Sequence, residues 1–194
     1  MGRQAAYVRE DAVRSARDVF WREGYEGASM ASLQRATGLN ASSLYHAFGS
    51  KRGLFDAAVE DYLERVVRPG LAPLCAPDVA PDALAGYFLR VRALCADPSG
   101  RTLPDGCLLV NTACSGLARD DGIAEVVRAY RAELHAAFTR GEQARRPDRS
   151  PTEREQVVET CVALLISALV MTRVDPQAAT AALDSALITL QHKE

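Results

Sequence analysis

Ser29-Met30-Ala31-Ser32-Leu33-Gln34-Arg35-Ala36-Thr37-Gly38-Leu39-Asn40-Ala41-Ser42-Ser43-Leu44-Tyr45-His46-Ala47-Phe48-Gly49-Ser50-Lys51 is the stretch whose reading decides the fold. Ser29 stands as an N-cap before Met30, Leu33 and Ala36, a helical spacing of apolar positions. Thr37-Gly38 stops that short helix, because glycine tolerates the left-handed backbone of a tight turn. Asn40 caps a second short helix that runs through Phe48. Gly49-Ser50 breaks again, and Ser50 caps a longer helix with Phe55, Ala58, Tyr62 and Val66 on one side. Upstream, Ala12, Val13, Ala16, Val19 and Phe20 form one apolar stripe that Gly24 ends. Cap, short helix, glycine turn, short helix is helix-turn-helix spacing, and such a unit lays its second helix in a DNA major groove.

The rest of the chain is read as helical too, with no period-2 stretch long enough for a convincing strand. Pro69, Pro73, Pro77 and Pro81 remove backbone donors at regular intervals, so no helix is expected to run through them. They mark a boundary after the head. Beyond it come the stripes Leu84, Phe88, Val91, Cys95 and Ile123, Val127, Tyr130, Leu134, Phe138. Pro98, Gly100, Pro104 and Gly106 mark a loop, Cys107 to Ser115 a short apolar segment, and Gly141 to Pro151 an Arg-rich loop. Ser150-Pro151-Thr152-Glu153 and Asp175-Pro176 are helix starts. The predicted architecture is all-α, with about nine helices. It divides into a helix-turn-helix head over 1–50, a connecting helix over 51–68 and a helical body over 69–194.

The 194 residues carry a net charge of −2, 48% hydrophobic and 25% charged residues, an ordinary globular composition. The first 55 residues nevertheless hold eight Lys or Arg against five Asp or Glu. A mildly basic head therefore sits on an acidic body. The longest apolar run, Cys161 to Met171, is far shorter than the ~20 residues of a membrane span. No secretory signal is visible at the N-terminus, and Ala6 stands where a myristoylation motif needs Ser or Thr. These features predict a cytoplasmic protein without a membrane partner. The five cysteines, Cys75, Cys95, Cys107, Cys114 and Cys161, lack C-x-x-C spacing and read as buried free thiols. Neither a metal nor a cofactor is implied.

The helix from Pro151 is apolar nearly all round, and the next one is rich in small residues. Enclosure on every side suggests cover from a partner subunit. Val158, Cys161, Leu165, Leu169, Ala182 and Ala186 are the predicted homodimer interface.

The head resembles the TetR family of transcriptional regulators. The resemblance rests on Ala12 to Phe20, Gly24-Tyr25, Ser29 to Leu33, Ala36 to Leu39, Ser43 to Lys51 and Leu54-Phe55, in order and without gaps over about the first sixty positions. It implies a dimeric repressor that binds a pseudo-palindromic operator in double-stranded DNA and leaves it when a small-molecule effector binds the body. On that pattern Ser29 and Ser50 open helix starts that favour phosphate, with Lys51 beside the second. Tyr45 donates to the DNA backbone, and His46 is a further phosphate candidate. Asn40, Ala41, Ser42 and Ser43 lie nearest base edges, while Leu44 and Phe48 anchor the helix from behind. Many family members have Lys or Arg at the position of Ala41 and His at that of Ala47, so this chain makes fewer charged contacts. With two to four phosphates neutralised per subunit, log K should fall with log salt at a slope of roughly −4 to −7 for the dimer. Arg3, Arg9 and Arg14 could add contacts from the N-terminal arm.

An effector pocket should be apolar with a few polar groups. Tyr87, Phe88, Arg92, Asn111, Thr112, Cys114 and Tyr130 are the candidates, with His135 and Thr160 behind them. Asn111 and Cys114 lead, because they interrupt the apolar run from Leu108. An enzyme is disfavoured: H-E-x-x-H, G-x-S-x-G and P-loop motifs are absent, and none of the three histidines adjoins an acid–nucleophile pair. The alternative kept open is a helical dimerisation or adaptor module without DNA binding.

Overall fold

The computed structural model describes residues 2–96 and 105–191, with side chains from residue 9 onward. Among the described residues the chain is entirely helical, in nine rods. Five segments build the head and its stalk: α1 (Gly2–Gly27), α2 (Met30–Thr37), α3 (Ala41–Phe48), α4 (Lys51–Tyr62) and α5 (Arg68–Cys75). A π-helical turn, Leu63–Val67, joins α4 to α5 as one rod. The body adds α6 (Ala83–Cys95), α7 (Leu108–Ala113), α8 (Asp121–Arg145), α9 (Pro151–Met171) and α10 (Pro176–Gln191).

The short helices of the head stop and start where side chains dictate. Gly24 leaves helical geometry at φ 72° and kinks α1. The oxygens of Ser29, Asn40 and Ser50 accept from the backbone N–H of Ser32, Ser43 and Gly53. Gly38 turns the chain between α2 and α3 in the left-handed conformation, φ 69°, which a β-carbon would strain. Beneath them Phe20 meets Phe55 edge-on at 5.1 Å, and Tyr25 meets Phe55 at 5.2 Å. Leu33, Leu44 and Leu54 close this small core.

The body packs by long-range contact. Phe88 and Phe138 lie 5.4 Å apart at its centre, with Tyr87 at 5.2 Å from Phe138. Helix α9 lies between α8 and α10, and α10 also packs on α6. Three polar links tie head to body. Trp21 Nε1 donates to the Gly106 carbonyl at 3.1 Å, and the Trp21 ring meets Tyr62 at 4.9 Å. Arg52 pairs with Asp120 at 3.1 Å. Arg173 donates to the Arg22 carbonyl at 2.7 Å.

The structure corrects four expectations. Pro69 and Pro73 lie inside helix α5 rather than ending it. The π turn widens the backbone just before them, and Arg68 N–H reaches back to the Leu63 carbonyl. That geometry makes room for a ring that would clash in a regular turn. Gly141 to Arg145 continue α8 instead of forming a loop. A β-carbon on Gly141 would lie 2.6 Å from Leu74 and 2.9 Å from Leu84, so glycine is there for close packing. Glu142, fully buried, accepts from Arg145 at 2.8 Å and Arg149 at 2.7 Å. Cys75 and Cys114 are exposed, whereas Cys95, Cys107 and Cys161 are buried; all five are free thiols. Finally, Val158, Cys161, Leu165, Leu169 and Ala186 are covered by their own protomer. They cannot form an intersubunit surface, because α8, α10 and α7 already supply the cover that a partner was expected to give. Ala182 is half-buried. Pro98, Gly100, Pro104, His192 and the side chain of Arg3 lie outside the described residues.

Candidate nucleic-acid interface and effector cavity

Helix α3 presents one face to solvent and one to the head core. Leu44 is buried and Phe48 half-buried, whereas Ser42, Ser43, Tyr45, His46 and Ala47 are exposed. The apolar pair anchors the helix against α4 and α2, so the polar residues point outward from a fixed rod. Tyr45, 49% exposed, is a large aromatic in water, with its hydroxyl available. Asn40 and Ser29 are exposed at the starts of α3 and α2, and Ala41 is half-buried. Lys51 sits with its ammonium 4.6 Å from the centre of the Tyr25 ring, a cation–π contact that holds it at the start of α4 beside Ser50. Helix starts, a hydroxyl and a fixed cation make a surface suited to phosphate.

The structure brings Arg9, one of the arm residues read from sequence, onto this surface. Its guanidinium lies 4.9 Å over the Phe48 ring at the end of α3. The sequence placed Arg9 on an N-terminal arm; the aromatic that fixes it is far along the chain. Arg14 is spent on a surface pair with Asp11 at 3.3 Å.

A second feature is a cavity of about 210 Å³. Its walls come from the end of α4, the π turn, α5, α6, α8 and α9. Tyr62, Tyr87 and Tyr130 are its aromatic members, Val66, Val67, Val91, Leu165 and Leu169 its aliphatic ones, and Arg90 its charged one. Burial pushes the phenols of Tyr62, Tyr87 and Tyr130 well above the ordinary tyrosine range, with Cys107 the next contributor for each. They stay neutral hydrogen-bonding groups at physiological pH.

Of the pocket residues read from sequence, only Tyr87 and Tyr130 come to this wall. Phe88 lies behind Tyr87 in the core. Arg92 pairs outside with Asp184 at 2.5 Å. Asn111 donates to the Asp105 carbonyl at 2.7 Å, and Thr112 to the Leu108 carbonyl at 2.7 Å. Thr160 donates to the Gln156 carbonyl, and His135 faces Glu155. Cys114 is exposed on the far side of α7. Two residues chosen as dimer contacts, Leu165 and Leu169, prove to be cavity walls. Tyr62 and Val66 were legible as one side of α4 and its extension, but nothing local paired that side with α6 and α9.

His135, Glu155 and Glu159 bring one ligand atom each within 4.8 Å of one another. Nε2 of His135 lies 3.1 Å from Glu155 and 3.4 Å from Glu159, and Arg131 holds the other Glu159 oxygen at 2.5 Å. The arrangement is satisfied as an ion-pair network between α8 and α9.

A helix-turn-helix head on a helical body with a cavity defines a class of one-component transcriptional regulators. Residues 12–58 match the sequence profile described as bacterial regulatory proteins of the tetR family. The chain is 37% identical over 122 residues to the HTH-type transcriptional repressor ComR of Escherichia coli K12, taking in 62% of this chain and 56% of ComR. It is 30% identical over 141 residues to the HTH-type transcriptional regulator YezE of Bacillus subtilis 168, covering 73% of this chain and 71% of YezE. Among solved structures, a cysteine-substituted form of the TetR family regulator CifR, complexed with a 26-base-pair operator duplex, aligns with a TM-score of 0.76. That alignment has 30% identity and covers 92% of this chain and 94% of CifR. The chain belongs to the TetR family of transcriptional regulators.

Proposed function

We propose that this chain is a dimeric, cytoplasmic DNA-binding repressor that a small molecule releases from its operator. The observation that carries the reading is α3: a rod fixed by buried Leu44, with Ser42, Ser43, Tyr45 and His46 turned to solvent. In this reading Asn40, Ala41, Ser42 and Ser43 meet base edges. Tyr45, His46, Lys51, Arg9 and the N–H groups beside Ser29 and Ser50 meet phosphates. The repressor ComR and operator-bound CifR support it, as does the absence, among the described residues, of a helix long and apolar enough to cross a membrane.

The DNA-binding unit read over 1–50 also needs α4, since Leu54 and Phe55 complete its core. The connecting helix continues past 68 to Cys75, and the remainder is the effector and dimer domain. Two copies meet, in this reading, through the outward stripe of α9 and α10. Val170 on α9, Val174 in the turn between the two helices and Ile188 on α10 are 41%, 78% and 54% exposed, with small, exposed Ala163, Ser167, Ala181 and Ser185 on the same helices allowing close approach. An effector shifts the population toward a head spacing that no longer fits two half-sites ~34 Å apart. A tenfold loss of operator affinity needs only ~1.4 kcal/mol of preference for that state.

A protection footprint on the DNA upstream of the protein's own gene tests the reading. A protected, two-fold-symmetric site is expected, weakened across sequences by Tyr45→Phe and Lys51→Ala and altered in base preference by Ser43→Ala. A protein with no salt-sensitive duplex binding would be a helical adaptor instead.

A further inference from the structure

Resting on the reading of the body as an effector domain, we propose that the cavity takes a small monocarboxylate. Its apolar body fills the space between α6 and α9, and its carboxylate meets Arg90 and the Tyr87 hydroxyl. The argument begins with charge. Most arginines around the body have a partner: Arg68 pairs with Glu64 and Glu133, Arg92 with Asp184, Arg131 with Glu159, and Arg145 and Arg149 with Glu142, while Arg140 and Arg154 donate to backbone carbonyls. Arg90 lines the cavity and forms no ion pair with any described residue.

The second step concerns hydrogen bonds. Tyr130 already lies 3.5 Å from the Cys107 thiol, and Tyr62 also bonds in that cluster. The Tyr87 hydroxyl bonds to no described residue. Arg90 stands three residues further along α6, on the same helical face, and burial keeps the phenol protonated. One unpaired cation, exposed at the cavity's rim, and one neutral donor therefore line the same largely apolar cavity. A carboxylate satisfies both, with charge-assisted bonds. An ammonium would be repelled, and a neutral ligand would gain nothing from the guanidinium, which stays hydrated at the rim.

Size sets the body of the ligand. About 210 Å³ is below the ~300 Å³ lower end of drug-sized sites. A single aromatic ring or a short alkyl chain fits, and a fused polycycle does not.

The test uses a built-in reporter. Trp21 is the chain's one tryptophan, and its ring meets the cavity residue Tyr62 at 4.9 Å. Emission of the full-length protein is titrated with benzoate, hexanoate, benzyl alcohol and benzylamine. The expected result is a saturable change with one or both acids, at least tenfold weaker binding of the alcohol, and no response to the amine. Arg90→Gln should weaken acid binding about tenfold, Arg90→Lys much less, and Tyr87→Phe severalfold. If Arg90→Gln fails to fold by circular dichroism, the Arg90→Lys and Tyr87→Phe pair carries the test. Equal binding of acid and alcohol, indifferent to Arg90→Gln, would overturn the acid class. If Val91→Phe, which fills the space, then abolished that binding, the effector cavity itself would stand. No response to either acid would overturn the proposal. If Val91→Phe also left the alcohol response unchanged, the cavity reading would fall with it.

Discussion

The head and the body use polar side chains in opposite ways. In the head they sit in water: Ser29, Asn40 and Ser50 cap helices, and Tyr45 and His46 stand out from α3. In the body the most consequential polar residue, Glu142, has no contact with solvent and is matched by two arginines. The head holds Tyr45 and His46 out to meet something outside the molecule, while the body commits Glu142 to its own packing. A substitution should therefore separate stability from recognition according to the region it falls in.

The sharpest test is Glu142→Ala. Removing one partner of a buried ion cluster leaves Arg145 and Arg149 uncompensated, at a cost of about 3–5 kcal/mol, read by urea unfolding. A loss below about 1 kcal/mol would break the contrast. Next is Gly106→Ala. Gly106 has φ 66°, and a β-carbon there would run into the Leu169 carbonyl. Strain and clash together should cost about 2–3 kcal/mol and loosen the Trp21 hydrogen bond, visible as a shift in tryptophan emission.

In the head, Ser43→Ala should change unfolding by less than about 0.5 kcal/mol while altering base preference by ~1–3 kcal/mol at one position. Asn40→Ala should cost about 1 kcal/mol of stability as a lost cap. Lys51→Ala should reduce the salt slope of DNA binding by about 1 per subunit.

The smallest effect is on pH dependence, and it belongs to the body. Burial raises the Cys161 thiol from 9.0 to about 12, and burial raises Tyr62 and Tyr130 above 10.0. A raised pKa in the folded state means the unfolded chain releases its proton first as pH rises. The contribution is whole below pH 9 and is lost progressively toward 12. Thermal melts should be flat in this respect from pH 7 to 9 and fall above it. In Cys161→Ala the fall should be shallower, since buried Cys95, Tyr62 and Tyr130 still titrate late in the folded state.

The same contrast explains what the chain's order of residues disclosed. Caps and glycine turns act within four residues, so Ser29, Gly38, Asn40 and Ser50 could be placed by inspection. The body is governed by partners far apart in sequence. Gly141-Glu142 looks like a loop until Leu74, Leu84 and two arginines close around it. Pro69 and Pro73 look like breakers until a π turn accommodates the first and α5 runs on past the second. The apolar girth of α9 looked like a demand for a second subunit, because no local signal says that α8 and α10 lie on either side. The cavity drew on four separate segments, so its tyrosines were visible singly and its aliphatic walls were assigned elsewhere.

The wide turn at Leu63–Val67 sets how the reading helices are aimed. A π turn holds one residue more than a regular α turn, and each residue of an α-helix advances the spiral by roughly 100°. Deleting a single position there would let the stalk from Lys51 to Cys75 wind uniformly, and it would swivel everything upstream by more than a quarter turn. The bearing of the DNA-reading surface thus depends on one surplus residue in the shaft that carries it.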